Sequence, residues 1–124
     1  MAGKKQTRLT LNRSGVCEAN MISDNQCKAV GHKKYEYEAR IVFKPKLDEQ
    51  GFVIDHTAIH AVVESVFGGG MMSCEQITLK IAKKIEKACR EHGCSIISIY
   101  VKVRPVPASK KDKVMAFMET EVTF

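Results

Sequence analysis

Glu75 occupies a position where a carboxylate can serve either a helix end or a bound ligand. It lies inside Ser73-Cys-Glu-Gln76, a capping-box pattern in which the Ser73 hydroxyl and the Gln76 side chain satisfy amides that a helix start leaves unpaired. Those amides and the helix dipole favour a negative charge in the first turn. We therefore expect Glu75 to cap the helix or to bind a ligand that presents paired N–H donors.

Histidine and cysteine side chains provide two further groupings. His56 and His60 are four residues apart, a spacing that can hold a metal, but both flank an apolar stripe, which favours packing or partial exposure. Cys89, His92 and Cys94 crowd a helix end and can bind zinc with one further ligand, although their spacing matches no strong zinc motif. We predict neither grouping as a metal site.

Two amphipathic helices are predicted in the middle of the chain. The first ends at Gly68, and the second runs from Cys74 to about His92 and ends at Gly93, where glycine suits a left-handed backbone. The predicted buried stripes are Ile59, Val62, Val63, Val66 and Phe67 in the first helix, and Ile77, Ile81, Ile85 and Ala88 in the second. The outer face of the second helix carries Lys80, Lys83, Lys84, Lys87 and Arg90.

Strand-like alternation surrounds this helical pair. A first strand is predicted over residues 5 to 13, with a break or bulge at Ser14-Gly15 and a continuation over residues 17 to 21. A polar loop follows at residues 23 to 33, and later strands are predicted at 35 to 43, 97 to 104 and 114 to 124. The order ββααββ predicts an α+β domain, with an antiparallel sheet and both helices on one face.

The sheet face opposite the helices mixes polar and apolar side chains. Its predicted members include Tyr100, Lys102, Arg104, Met115 and Phe117. Because a monomer exposes such a face, we expect the sheet to curve into a barrel that is shared by the subunits of a homo-oligomer. Lys102 can act as a base if it is desolvated. The alternative is an ordinary solvated lysine on a strand, without a catalytic role.

The whole 124-residue chain is predicted to be one domain, with residues 1 to 5 flexible. No apolar run is long enough for a membrane span, no secretory signal is apparent, and five cysteines without a CxxC pair favour reduced thiols. We therefore expect a cytoplasmic protein. The formal charge is +6, but the cations are spread over the second helix and the tips rather than massed in one tract, so we do not expect a nucleic-acid partner.

These patterns together resemble the tunnelling-fold family, in which subunits close their sheets into one barrel and bind pterin or purine-like rings between them. Leu47-Asp-Glu-Gln-Gly-Phe-Val-Ile-Asp55 resembles the L-D-x-x-G-x-V-I-D-F stretch of the 6-pyruvoyl- and 6-carboxytetrahydropterin synthases. Gly31-His32 is similar to the end of their His-Gly-His motif, and Ser73-Cys-Glu75 to their Thr-x-Glu helix start. The resemblance implies a pterin-related ligand.

The zinc ligands of those synthases are matched only in part. The synthases hold zinc with three histidines, and an open tetrahedral site lets the metal polarise the substrate. The corresponding positions here fall on Asn20 or Met21, on Val30 and on His32. Because one imidazole does not make a zinc site, we predict no zinc cofactor and an altered or lost lyase activity. The resemblance leaves His32, and Cys27 near the family's catalytic cysteine, as candidate catalytic residues.

The dihydroneopterin aldolases, which need no metal, are a second branch that the chain resembles. Asp55-His-Thr-Ala-Ile59 resembles the Tyr-Ala-Asp-Ile start of their first helix, and Lys102-Val-Arg-Pro105 resembles the Lys-Pro end of their third strand. Glu75 falls on the glutamate that anchors the pterin ring. Two carboxylate oxygens suit this role because they can accept both N–H groups of an aminopyrimidinone edge.

This second resemblance adds candidate residues on the helices and on the third strand. The aldolase lysine falls on Arg104 or, one register away, on Lys102, and arginine cannot serve as a general base. We therefore assign Lys102 a catalytic role, and Ser73, His56 and Arg104 join Glu75 as ligand-binding residues. A metal-independent aldolase-like lyase and a non-catalytic binding or interaction module are the alternatives to a synthase-like protein.

Overall fold

A computed structural model describes residues 6–18, 34–68, 74–106 and 117–124 of the chain. These residues form a four-stranded antiparallel sheet in the order β1-β2-β3-β4 and two helices. The strands are β1 Leu9–Glu18, β2 Lys34–Phe43, β3 Ile96–Pro105 and β4 Met118–Thr123, and the helices are α1 His56–Phe67 and α2 Cys74–Glu91. The predicted ββααββ order and α+β class are confirmed. The sheet of a single chain is open, with β1 and β4 at its edges.

Several predicted features lie outside the described residues. They are residues 1–5, which were predicted to be flexible, residues 19–21 of the predicted continuation of the first strand, the predicted loop at 23–33 with Cys27 and His32, Ser73, and residues 114–116 of the predicted last strand.

Both helices pack on one face of the sheet. Helix α1 lies against β1 and α2, while α2 lies against β3 and β4. The alternating residues of β2 that were predicted to share a face are all buried, namely Tyr35, Tyr37, Ala39, Ile41 and Phe43. They pack against the buried stripes of the helices in one apolar core. The alternation of β2 and the 3.6-residue periodicity of the helices therefore identify residues of the same buried layer.

Helix α1 ends at Gly68, as its sequence predicts, and Asp55 caps its start. The Asp55 carboxylate accepts a 2.9 Å hydrogen bond from the Thr57 amide, and the Gly68 amide donates to the Glu64 carbonyl over 3.0 Å. The bond from Thr57 lowers the pKa of Asp55 below its ordinary value. Gly93 ends α2 with φ +80°, as expected for a left-handed residue. Neither described helix is long and apolar enough to cross a membrane.

Two predictions are wrong in detail. Strand β1 continues without a break through Ser14 and Gly15, and Gly15 pairs in register with Tyr37. The buried stripe of α2 ends on Cys89, which is fully buried, whereas Ala88 is only partly buried. The last core residue of α2 is therefore Cys89, one position after the predicted Ala88.

Candidate functional site

Lys102 and Arg104 lie on the helix-free face of the sheet, where β3 runs beside β2. The Arg104 Nε atom donates to the Glu36 carboxylate over 2.6 Å. The Lys102 Nζ atom sits 4.2 Å from the centre of the Phe117 ring, a cation–π contact. Both basic groups therefore already have partners on this face.

A shallow depression of about 350 Å³ opens on the same face. Its lining combines acids, bases and a serine from three strands: Ser14, Gly15, Val16, Glu36, Tyr37, Glu38, Lys102 and Arg104. Because the lining includes both donors and acceptors, the depression can hydrogen-bond a polar ligand.

His56 and Glu75 lie in the helix layer instead. His56 is the first residue of α1, and its Nδ1 atom is 3.3 Å from Nη1 of Arg13 on β1. Glu75 is an exposed acid in the first turn of α2, as the sequence predicted. Since the sheet separates these residues from Lys102 and Arg104, one copy of the chain does not bring the four together.

A hydrogen-bonded group that the sequence did not predict lies between β1, β2 and α1. We call it the seam cluster, and it consists of Arg13, Tyr37, His60 and Glu64. The Tyr37 hydroxyl is 2.6 Å from Nδ1 of His60, and Nε2 of His60 is 2.6 Å from a Glu64 oxygen. The Tyr37 and His60 rings stack with centroids 5.7 Å apart.

The partners of His60 in the seam cluster determine which ring nitrogen of the neutral histidine carries the proton. A carboxylate accepts only, so Glu64 fixes the proton of neutral His60 on Nε2. Nδ1 is then free to accept the Tyr37 O–H. The result is a continuous Tyr–His–Glu chain that leads from the buried layer to exposed Glu64.

Burial shapes the acidity of the groups around this cluster. Desolvation raises the pKa of the Tyr37 hydroxyl, while hydrogen bonding to Arg13 acts in the opposite direction. Cys17, next along the inward face of β1, has its pKa raised to about 11, first by burial and then by the charge of Glu64. Both groups are therefore neutral at physiological pH and not activated nucleophiles.

The sequence contains weak signals for the seam cluster. His60 and Glu64 are at the i, i+4 spacing that lets side chains meet on a helix. Arg13 has the same strand parity as Leu11, so an unbroken β1 turns it inward. Because a break was expected at Ser14-Gly15, the inward orientation of Arg13 was not predicted.

Nearly the whole chain is similar in fold to solved structures of 6-pyruvoyl tetrahydropterin synthases. The 6-pyruvoyl tetrahydropterin synthase of Plasmodium vivax matches 95% of this chain and 99% of its own, with a TM-score of 0.54 and 12% sequence identity. That of Plasmodium falciparum matches 95% of this chain and 98% of its own, with a TM-score of 0.50 and 10% identity. The chain has the tunnelling fold. No protein-family model and no curated protein matches its sequence.

In the part of this tunnelling fold that the structure describes, no group of three or more His, Cys, Asp or Glu side chains is arranged to hold a metal ion. Cys94 donates to the Val53 carbonyl over 3.3 Å, and His92 lies 3.9 Å from Asp48. Burial raises the pKa of the Cys89 thiol to about 12, which disfavours the thiolate that zinc requires. The described residues do not fit a zinc ion, and His32 and Val30 lie outside them.

Proposed function

We propose that this chain binds a small planar heteroaromatic ligand of the pterin or purine class through Glu75. The observation that carries the proposal is an exposed carboxylate in the first turn of α2, within a fold shared with pterin synthases. No hydrogen bond or ion pair to another described residue engages Glu75. Its two oxygens are therefore available for a ligand with paired N–H donors.

The proposed site lies between subunits of a homo-oligomer. Glu75 and His56 belong to the helix layer, whereas Arg104, Lys102 and the depression belong to the helix-free face. A neighbouring copy can supply the groups that one chain keeps apart. The open sheet supports this assembly because β1 and β4 each leave an edge with unpaired backbone groups.

The proposed chemistry is altered or absent relative to a synthase. Only His32 matches a zinc-binding histidine of the synthases, so the zinc site is incomplete. In an aldolase-like reaction Lys102 would have to act as a base, and in this structure its Nζ atom lies against the Phe117 ring. Metal analysis separates these alternatives, since one zinc per subunit supports a synthase and its absence leaves the metal-free alternatives.

The proposed compartment is the cytoplasm. Among the described cysteines, Cys17, Cys89 and Cys94 are free thiols, and Cys17 and Cys89 are buried in the core. Free thiols persist in reducing compartments, which supports this placement.

A thermal-shift panel of pterins and purines tests the proposal. A ligand at about 100 times its Kd adds about 2.7 kcal/mol of stability, which raises the melting temperature measurably. Failure of every member to stabilise the protein would favour the interaction module with a macromolecular partner.

We predict that Glu75→Gln weakens the binding of such a ligand by about 1.5 to 3 kcal/mol, because the amide replaces one acceptor with a donor. The free energy of unfolding should change by at most about 1 kcal/mol. Titration calorimetry with the best ligand of the panel measures the effect. Glu91→Gln, an exposed glutamate at the other end of α2, is the matched control and should bind normally. Wild-type affinity in Glu75→Gln would remove Glu75 from the site.

A further inference from the structure

Helix α2 presents a row of lysines that the fold directs to solvent. We call it the lysine stripe, and it consists of Lys80, Lys83, Lys84 and Lys87, all exposed. Within the described part of the chain, no ion pair engages any of them, because Glu86 of the same helix binds Arg90 over 2.9 Å. Glu91 is also exposed and lies four residues from Lys87, so the stripe is a predominantly positive surface bordered by one carboxylate.

The spacing of the stripe places like charges beside one another. Lys80 and Lys84 are at i, i+4, as are Lys83 and Lys87, and like charges at this spacing destabilise a helix. An anionic partner with repeated charges relieves that repulsion. The stripe extends roughly 10 Å along the helix axis at 1.5 Å per residue, which is long enough to face several consecutive phosphates of a nucleic-acid strand.

An aromatic ring lies at the end of the stripe. The Arg90 guanidinium, one helical turn beyond Lys87, stacks over the Phe124 ring at 5.1 Å. The Phe124 residue is 45% exposed. Basic groups that follow a backbone beside an aromatic ring that stacks on bases are the usual combination in proteins that bind single strands.

Other anionic partners fit this surface less well. A helix that binds a membrane inserts an apolar face, but Ile77, Ile81 and Ile85 of α2 are buried, and among the described residues of this helix Leu79 alone is a large exposed hydrophobic residue. An acidic peptide would also use the lysines, but a planar base can in addition stack on the exposed Phe124 ring. We propose that the lysine stripe, with Arg90 and Phe124, binds single-stranded nucleic acid through its phosphates.

Fluorescence anisotropy with labelled oligothymidylate measures this binding. For the wild-type chain, contacts from four lysines predict a slope of about −3 in log K against log salt on a single strand. The variant with Lys80, Lys83, Lys84 and Lys87 all changed to Gln should bind at least about tenfold more weakly at 50 mM salt and show a slope close to zero. Glutamine is a good helix former, so circular dichroism should show an unchanged fold.

The matched control removes the same number of positive charges elsewhere. Arg8, Lys34, Lys44 and Lys46 are exposed and lie outside α2, and their combined change to Gln should leave most of the affinity intact. Equal losses in the two variants would mean that net charge alone attracts the strand, and the proposal would fail.

Two further arms identify the partner. Phe124→Ala should weaken binding to the single strand several-fold and leave binding to a duplex of the same length unchanged. Equal affinity and salt slope for polyglutamate or for phosphatidylserine vesicles would overturn the assignment to nucleic acid, as would the absence of binding to oligothymidylate at 50 mM salt. Pterin binding by the lysine variant is measured in parallel, so that failure of this proposal and of the ligand proposal are distinguished.

Discussion

Tyr37 places a hydroxyl in the buried layer between β2 and α1, where a polar group needs a hydrogen-bond partner. His60 provides that partner at 2.6 Å, and Glu64 orients His60 from the solvent side. The residue-level chemistry of the molecule is therefore concentrated in a cluster that no sequence motif marked. Its stability contribution can be measured one group at a time.

We predict that Tyr37→Phe lowers the free energy of unfolding by about 1 to 3 kcal/mol, because Nδ1 of His60 loses its donor in a partly buried site. The ring itself is retained, so packing changes little. Urea denaturation measures the difference. Tyr100→Phe is the control, since it removes a hydroxyl that donates to Glu119 on the exposed sheet face, and it should cost less than about 1 kcal/mol. Equal losses in the two variants would show that the buried hydrogen bond contributes no more to the free energy of unfolding than the exposed one.

We predict that Cys17 contributes to an alkaline loss of stability, in addition to buried Cys89. The pKa of Cys17 is raised from 9.0 to about 11 in the folded chain, so the neutral thiol stabilises the fold fully below pH 9. This contribution disappears as the pH rises from 9 through 11. We expect the contribution of Cys17 to amount to about 1 to 2 kcal/mol. This is less than the full change in pKa implies, because the neighbouring seam cluster opens to solvent at Glu64.

Urea denaturation at several pH values in that range tests the prediction for Cys17. Cys17→Ala and Cys17→Ser both lack a titrating thiol, so both should show a shallower decline than the wild-type chain. Curves parallel to wild type in both variants would assign the alkaline loss to other groups.

At the scale of elements, Gly15 decides how closely α1 approaches the β1–β2 pair. A Cβ atom at Gly15 would lie 3.0 Å from Cε1 of Tyr37, and 3.2 Å and 3.3 Å from Cε1 and Nδ1 of His60. The absent side chain makes room for the stacked tyrosine and histidine. The glycine that the sequence suggested as a strand break is thus a packing requirement within a continuous strand.

We predict that Gly15→Ala destabilises the fold by about 1 to 3 kcal/mol through overpacking of the two rings. Gly68→Ala is the matched control. Its φ of −80° suits alanine, and the closest atom to the added Cβ is the Glu64 carbonyl oxygen at 3.5 Å. The control should be neutral or stabilised by up to about 1 kcal/mol. Chemical denaturation of both variants measures the contrast, and similar losses would mean that the space at Gly15 is not limiting.

At the scale of the whole molecule, the open sheet leaves β1 as a long unpaired edge. Val16 lies on this edge with 53% of its side chain exposed. Natural proteins usually cover such an edge or break it with charges, because unpaired strand groups invite pairing with another chain. A copy of the same chain is the partner expected for this edge.

We predict that the wild-type chain forms a stable oligomer of its 13.9 kDa subunit at micromolar concentration. Val16→Lys should shift it toward monomers by placing a charge in the contact. Sedimentation equilibrium measures the mass. Phe52→Lys, which replaces a 61% exposed side chain in a loop away from the sheet edges, should keep the oligomer. A monomeric wild-type chain would remove the basis for a site between subunits.

The sequence by itself determined the elements and their faces. Periodicities of 3.6 and 2 are local properties, so they placed both helices and the inward residues of β2 and β3 within a few positions of the observed ones. Gly68 and Gly93 marked helix ends for equally local reasons, since capping and positive φ concern only adjacent residues. The position of Glu75 in the first turn of α2 followed in the same way.

Only the tertiary structure decided which side chains meet. Alternation fixes the parity of a strand but not its register, so the pairing of Gly15 with Tyr37 could not be predicted from the pattern. The contact of Tyr37 with His60 and that of Arg104 with Glu36 join residues far apart in the chain. Each contact depends on the strand register and on the position of a helix over the sheet. Both are set by the packing of the whole core. For that physical reason the seam cluster is a product of the fold, whereas the helices and strands that carry it are products of the local sequence.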